Sequence, residues 1–263
     1  MKARGKEEMP LLDHVAVVLH CPRSPENIGA SARAMWNMGL SRLIVVDPFR
    51  WDEEATARMA TREALHIVQS VEIRASLEDA LAPFRFVVGT TARTGGLRDL
   101  LWTPRRAAER ILEAGRANRV ALLFGPEDRG LTNQDLRFCQ LLVRIPTSRF
   151  GSLNLAQAVL ILCYELHLAS KEPHPVPPAP ALAKTEELER MYADLQEILV
   201  RISMISPEHP ESEMMKVRRF LSRLGLLSRE VRMIRGLARQ IRWYGETRVQ
   251  DELARRLREE GRS

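Results

Sequence analysis

The chain has 263 residues, 45% of them hydrophobic and 28% charged, with a formal net charge of +6 and a pI near 9.6. This composition excludes general disorder and leaves room for one sizeable core and a second small module. The surplus of Lys and Arg favours polyanionic partners through phosphate contacts and long-range attraction. Cys21, Cys139 and Cys163 are odd in number and lack C-x-x-C spacing, so they indicate neither a disulfide framework nor a zinc site. The six histidines do not cluster at ligand spacing, and no metal is expected. Residues 1–13 carry both charge signs and lack the apolar stretch of a signal peptide. The longest strongly apolar run, 158–164, falls far short of the roughly 20 residues that span a bilayer, so the expectation is a cytoplasmic protein with no membrane role.

In chain order, short apolar runs bounded by Gly, Pro, Asp or Asn predict strands at 15–19, 43–47, 86–89, 120–124 and 141–145. Helical patterns fall between them at 26–38, 76–81, 103–114 and 132–138. Such alternation implies an α/β domain with a mostly parallel sheet. Ligands of these sheets bind in the loops beyond the carboxyl ends of the strands. The next segment, 152–169, is apolar on more than one helical face, as expected of a central core helix or of one shared with a second subunit. Five prolines between 173 and 180 then predict an extended spacer, and from 185 onward the pattern is all helical: 186–202, 212–224 and 228–244, followed by a fraying charged tail. The domains expected are therefore 1–170, a linker at 171–184, and a small all-helical, basic domain at 185–263.

In the last helix, Val231, Ile234, Ala238 and Ile241 form an apolar stripe, and Arg232, Arg235, Arg239 and Arg242 repeat its spacing one residue further on. Residues 213–242 hold nine basic side chains against Glu213 and Glu230. A solvated helix face and an RNA phosphate contact both remain open for this arginine row. The guanidinium fork, which matches phosphate oxygens, favours the latter.

Three loops follow predicted strands: Cys21-Pro-Arg-Ser-Pro-Glu-Asn27-Ile-Gly29-Ala-Ser-Ala-Arg33, Gly125-Pro-Glu127-Asp-Arg129-Gly130-Leu131, and Ile145-Pro-Thr-Ser-Arg-Phe-Gly151-Ser152-Leu153-Asn154. Together they resemble the signature motifs of the TrmH-like SPOUT methyltransferases. The stretch Val88-Gly-Thr90-Thr91-Ala92-Arg93 fits that family's cofactor loop. The resemblance runs from about 14 to 170. The C-terminal region, with Leu188-Glu-Arg-Met-Tyr192 and Val231-Arg-Met-Ile-Arg-Gly236, looks like the appended domain of the TrmJ subfamily, which methylates nucleotide 32 of the tRNA anticodon loop. Pro126, Ser148 and Gly151 depart from common family residues, and none of them removes a proposed catalytic group.

The resemblance implies a trefoil knot, a homodimer, and S-adenosylmethionine held by Thr90, Thr91, Ala92, Gly125, Ile145, Gly151, Ser152 and Leu153. It implies a catalytic group of Arg33, Asn27, Glu127, Ser152 and Asn154, with Arg33 supplied by the partner subunit to orient the target phosphate and stabilise the nascent alkoxide. The acceptor expected is a ribose 2′-hydroxyl of tRNA, cytidine or uridine, which DNA lacks. Plainer roles stay open: Asn27 and Ser152 as helix caps, Glu127 as a solvated turn residue, Asn154 as a partner for backbone groups. Alternative functions are methylation of ribosomal RNA on the same fold and a non-catalytic RNA-binding scaffold.

Overall fold

The computed structural model describes residues 11–94, 101–148, 151–171 and 181–260. The predicted proline spacer at 173–180 lies outside the described residues. A first compact unit covers Met1–Thr185 and a second covers Glu186–Ser263.

In the first unit, β1 (Val15–His20), β2 (Arg42–Val46), β3 (Glu72–Arg74), β4 (Phe86–Thr90), β5 (Leu101–Trp102), β6 (Val120–Phe124) and β7 (Leu141–Val143) form one sheet. Its order is β3-β2-β1-β6-β4-β7-β5, and each pairing is parallel. Parallel strands are covered by helices on both faces, which is why β1, β4 and β6 read as continuous apolar runs. Val15 to Leu19 and Val120 to Phe124 are all buried. Each such side chain contributes about 1.5–3 kcal/mol by leaving water, so the strands form the firm frame and the loops at their ends need local ties. The chain starts in the middle of the sheet, with β2 on one side of β1 and β6 on the other. That reversal places the loops after β1, β6, β4 and β7 side by side at one edge of the sheet, where a crevice forms.

The helices are α1 (Pro25–Asn37), α2 (Glu53–Gln69), α3 (Leu77–Leu81), α4 (Pro104–Gly115), α5 (Asn133–Leu136) and α6 (Leu155–Lys171). Ser24 caps α1 by accepting from the Asn27 N–H, and Pro25 occupies its first turn. Thr132 and Asp135 cap α5 reciprocally, at 2.7 and 3.2 Å. Helix α1 lies so close to α2 that a Cβ on Gly29 would sit 2.0 Å from the Thr56 carbonyl oxygen.

Three elements escape the sequence pattern. Helix α2 buries mainly alanines, Ala55, Ala60 and Ala64, and Thr61 breaks it at φ 63°. Strand β3 is charged and at the sheet edge, and β5 has two residues. Helix α6 is not apolar all round in effect. Leu155, Val159, Leu162, Cys163 and Leu166 are buried, whereas Leu160, Tyr164 and Leu168 are between 37% and 46% exposed. Of the two roles expected for this helix, central burial is not what the chain shows. The end of the expected linker and the first residue after it are docked on this unit: the Leu182 N–H donates to Asn118 Oδ1 at 2.8 Å and the Thr185 hydroxyl to the Phe84 carbonyl at 2.9 Å.

The second unit holds most of α7 (Thr185–Arg201), with α8 (Pro210–Ser222) and α9 (Ser228–Glu260). They pack through Leu188, Met191, Tyr192, Ile198, Met214, Val231 and Ala238. The Arg218 fork grips Glu189 at 2.6 and 2.8 Å beneath the Tyr192 ring. Helix α9 continues to Glu260, past the end expected at 244.

Candidate active site

The loops after β4, β6 and β7 close around a cavity of about 260 Å³, and the loop after β1 is hydrogen-bonded to its rim at Glu127. All eight residues expected to hold the cofactor line it: Thr90, Thr91 and Ala92 after β4, Gly125 after β6, and Ile145, Gly151, Ser152 and Leu153 between β7 and α6. Phe124, Leu131, Val143, Leu155 and Ala158 add apolar wall. Sequence reasoning passed over these five because a strand end or helix start reads as core. Arg93 and Arg129 also line the cavity.

Small residues make this space possible. A Cβ on Gly125 would meet Gly130 C and Leu131 N, each at 2.4 Å, so the loop after β6 curls back on the glycine. Gly130 turns that loop at φ +64°. The Arg93 guanidinium donates to the Arg129 carbonyl at 2.9 Å and braces the loop after β4 against it. The Thr90 hydroxyl donates to the Leu123 carbonyl at 3.1 Å, fixing the start of the first loop.

Beside the cavity the three motif loops are tied together by side chains. Glu127, which lines the cavity, accepts from Asn27 Nδ2 at 2.7 Å, from the Arg23 N–H at 2.8 Å and from the Ser24 N–H at 3.4 Å. Asn154 Nδ2 in turn donates to Asn27 Oδ1 at 2.9 Å. Asn154 Oδ1 accepts from the Ala156 and Gln157 N–H groups at 2.9 and 3.4 Å, capping α6. Glu127, Asn27 and Asn154 thus form one chain of hydrogen bonds that joins Asn27 to residues 100 and 127 positions away. The plainer role expected of Asn154, a partner for backbone groups, is present, whereas Asn27 does not cap a helix with its side chain. Ser24 caps α1 and Asn154 caps α6, while the Asn27 side chain is committed to its two neighbours. Arg23 was overlooked; it pairs with Asp128 as well as donating to Glu127.

Arg33 stands apart. It is exposed on α1, outside the residues that line the cavity, and it forms no ion pair or hydrogen bond among the described residues.

None of the three cysteines lines the cavity. Burial raises the thiol pKa values of Cys139 and Cys163, the latter to about 12, and burial with the neighbouring Asp47 carboxylate raises that of Cys21. Since the thiolate is the attacking species, the chemistry left to the site rests on hydroxyl, amide, carboxylate and guanidinium groups. Behind the cavity, burial alone would raise the Asp135 carboxyl. The His20 ring, 3.5 Å away, and hydrogen bonds from the Thr132 N–H and hydroxyl outweigh it and hold that carboxyl below the ordinary range. Among the described residues no cluster of His, Cys, Asp or Glu is suited to a metal ion. No described helix is long and apolar enough to cross a membrane.

On α9 the arginine row divides. Arg235 pairs with Asp194 and Arg242 with Glu197, each at 2.6 Å, so these two fasten α9 to α7. Arg232 and Arg239 are exposed and make no ion pair among the described residues.

Residues 14–164 match the SpoU rRNA Methylase family, and residues 186–258 match the C-terminal domain of tRNA methyltransferase TrmJ. The tRNA (cytidine/uridine/adenosine-2′-O-)-methyltransferase TrmJ of Pseudomonas aeruginosa is 38% identical over 241 residues, covering 86% of this chain and 93% of that protein. The tRNA (cytidine/uridine-2′-O-)-methyltransferase TrmJ of Sodalis glossinidius is 36% identical over 236 residues, covering 88% and 92%. The crystal structure of TrmJ from Z. mobilis ZM4 superposes with a TM-score of 0.76 at 32% identity, covering 86% of this chain and 98% of that one.

Proposed function

The chain belongs to the SpoU methylase family, in the branch that carries the TrmJ C-terminal domain, and from that premise we propose that it transfers a methyl group from S-adenosylmethionine to a ribose 2′-hydroxyl of tRNA. The target in this reading is nucleotide 32 of the anticodon loop, and the enzyme is a cytoplasmic homodimer with the family's knotted topology. The observation that carries it is the Glu127–Asn27–Asn154 chain at a cavity built from small residues.

The cavity fits the cofactor. Backbone amides and carbonyls recognise adenine and ribose only at close approach, and the curled loop at Gly125 permits it. Thr90, Thr91, Ala92, Gly125, Ile145, Gly151, Ser152 and Leu153 would hold it. When bound, it supplies an activated methyl on a sulfonium. The remaining difficulty is the acceptor, a weakly acidic hydroxyl that must approach in line while losing its proton, so positioning and charge stabilisation supply the acceleration. Ser152 and the hydrogen-bonded amides set the position of the ribose beside the cavity. A guanidinium keeps its proton at any working pH, so Arg33 orients the adjoining phosphate and stabilises negative charge on the 2′-oxygen. Its exposure outside its own cavity fits a side chain that reaches the partner subunit's site. The exposed Leu160, Tyr164 and Leu168 on α6 give that dimer an apolar contact.

Residues 1–170 perform the transfer in this reading, 171–184 act as spacer, and 185–263 grip tRNA through Arg232 and Arg239. The match of 186–258 to a tRNA methyltransferase domain favours tRNA over ribosomal RNA. Incubation with labelled S-adenosylmethionine and, in parallel, total tRNA or ribosomal RNA, followed by mapping of modified riboses, tests the proposal. Label confined to ribosomal RNA, or absent, would overturn it.

A further inference from the structure

The loop after β2 joins the same edge of the sheet as the motif loops. In it, Phe49 is 76% exposed, the most exposed large hydrophobic side chain among the described residues. A single exposed hydrophobic is ordinary on a protein surface, and three features separate this one. Its backbone is fixed, because the Phe49 N–H donates to the Pro22 carbonyl at 3.1 Å, joining this loop to the one after β1. The Arg23 guanidinium lies over its ring, 5.2 Å from the centroid. Arg23 is also bound into the site: its N–H donates to Glu127 at 2.8 Å, and its side chain pairs with Asp128, which lines the cavity.

An exposed aromatic ring on a tethered backbone beside a cation matches single-stranded nucleic acid, whose bases stack on aromatic faces and on guanidinium planes. The Arg23–Asp128 pair is 48% and 42% exposed. Pairs so exposed are weak, and the guanidinium can exchange its carboxylate for a phosphate at little cost. We propose that Phe49 and Arg23 form a platform on which an unpaired nucleobase flanking the modified ribose stacks, with Arg23 contacting its phosphate. This rests on the reading of the chain as an RNA ribose methyltransferase and adds the element that reads the strand beside the target. Phe49 stands outside the signature motifs, and Arg23 lies within the first of them, so the platform joins a residue beside the motifs to one of their own.

The test measures binding and transfer in parallel, using the full-length protein and a tRNA transcript. Phe49→Ala is expected to weaken tRNA binding about fivefold or more, the loss typical of one stacked base, and to leave cofactor affinity and melting temperature unchanged. Phe49→Trp should restore the affinity. Transcripts with an abasic site moved one position at a time around the target should include one for which wild type and Phe49→Ala bind equally. Unchanged binding of Phe49→Ala overturns the platform, as does a loss that sedimentation traces to dissociated subunits, since Phe49 would then be a contact between copies. Wild-type protein that binds tRNA without methylating it sinks the enzymatic reading instead, and the affinity comparison still decides the platform.

Discussion

Replacing Asn27 by Ala cuts the chain of side chains at its centre. Two hydrogen bonds go, the 2.7 Å bond to the Glu127 carboxylate and the 2.9 Å bond from Asn154. A hydrogen bond to a charged group contributes about 1.5–3 kcal/mol and a neutral one about 1 kcal/mol. The bond to Glu127 is part buried and the one from Asn154 is exposed, so water replaces some of each and the sum falls to about 2 kcal/mol. For a unit of this size, that lowers the melting temperature by about 4–8 °C. The catalytic loss should be larger, because Glu127 and Asn154 then drift independently, and a displacement of about 1 Å costs on the order of a hundredfold. Single-turnover methyl transfer to tRNA, with calorimetric titration of the cofactor, separates the two effects. The double variant Asn27→Ala/Glu127→Ala should turn over about as fast as the slower single variant, because groups acting as a unit are not additive. Multiplying losses, or an Asn27→Ala enzyme within twofold of wild type, would refute the reasoning.

Arg33→Ala should lower turnover by about a hundredfold or more with cofactor affinity unchanged, and mixed dimers with a cavity-blocked Gly125→Val chain should show activity that neither parent has; failure of that complementation removes the reach between subunits. Gly125→Ala places a Cβ 2.4 Å from Gly130 C, so cofactor binding should fall at least tenfold in calorimetry, and wild-type affinity would show that the loop relaxes freely. Arg232→Ala/Arg239→Ala should reduce the salt dependence of tRNA binding by about one unit of slope for each phosphate that is no longer neutralised. Arg235→Ala should act mainly on the melting of the helical unit, by at most about 1 kcal/mol for a pair 40% and 26% exposed. The Asp135 carboxyl is held low in the folded state, so its contribution is complete above its unfolded value near about 3.9 and is lost as pH falls through the folded one. Asp135→Asn should therefore flatten the acid limb of stability, and an unchanged acid midpoint would count against that.

What the sequence revealed follows from how each element is held. The central strands announce themselves because burial on both faces demands unbroken apolar runs such as 120–124. The cavity residues are small positions at strand ends, and motif resemblance found them where periodicity has nothing to register. Helix α2 stayed hidden because half of its buried residues are alanines, which carry little hydrophobic contrast, and the Gly29 backbone of α1 meets it at Thr56 and Met59. The split of the arginine row was also out of reach, since Arg235 and Arg239 differ only in whether α7 places a carboxylate opposite. The Arg23 ties, too, arise from loops brought together by the sheet order and not by sequence spacing.

The bonds from Glu127 to α6 all point the same way. A carboxylate has only acceptors to offer, so Asn27 must turn its NH2 toward Glu127 and its oxygen toward Asn154; Asn154 must then turn its oxygen to the helix amides. Neither amide has a second orientation that keeps its partners, so one fixed anion dictates the handedness of every polar group down the line. A carboxylate in place of either amide would set oxygen against oxygen, so Asp at 27 or 154 would break the line where Asn completes it.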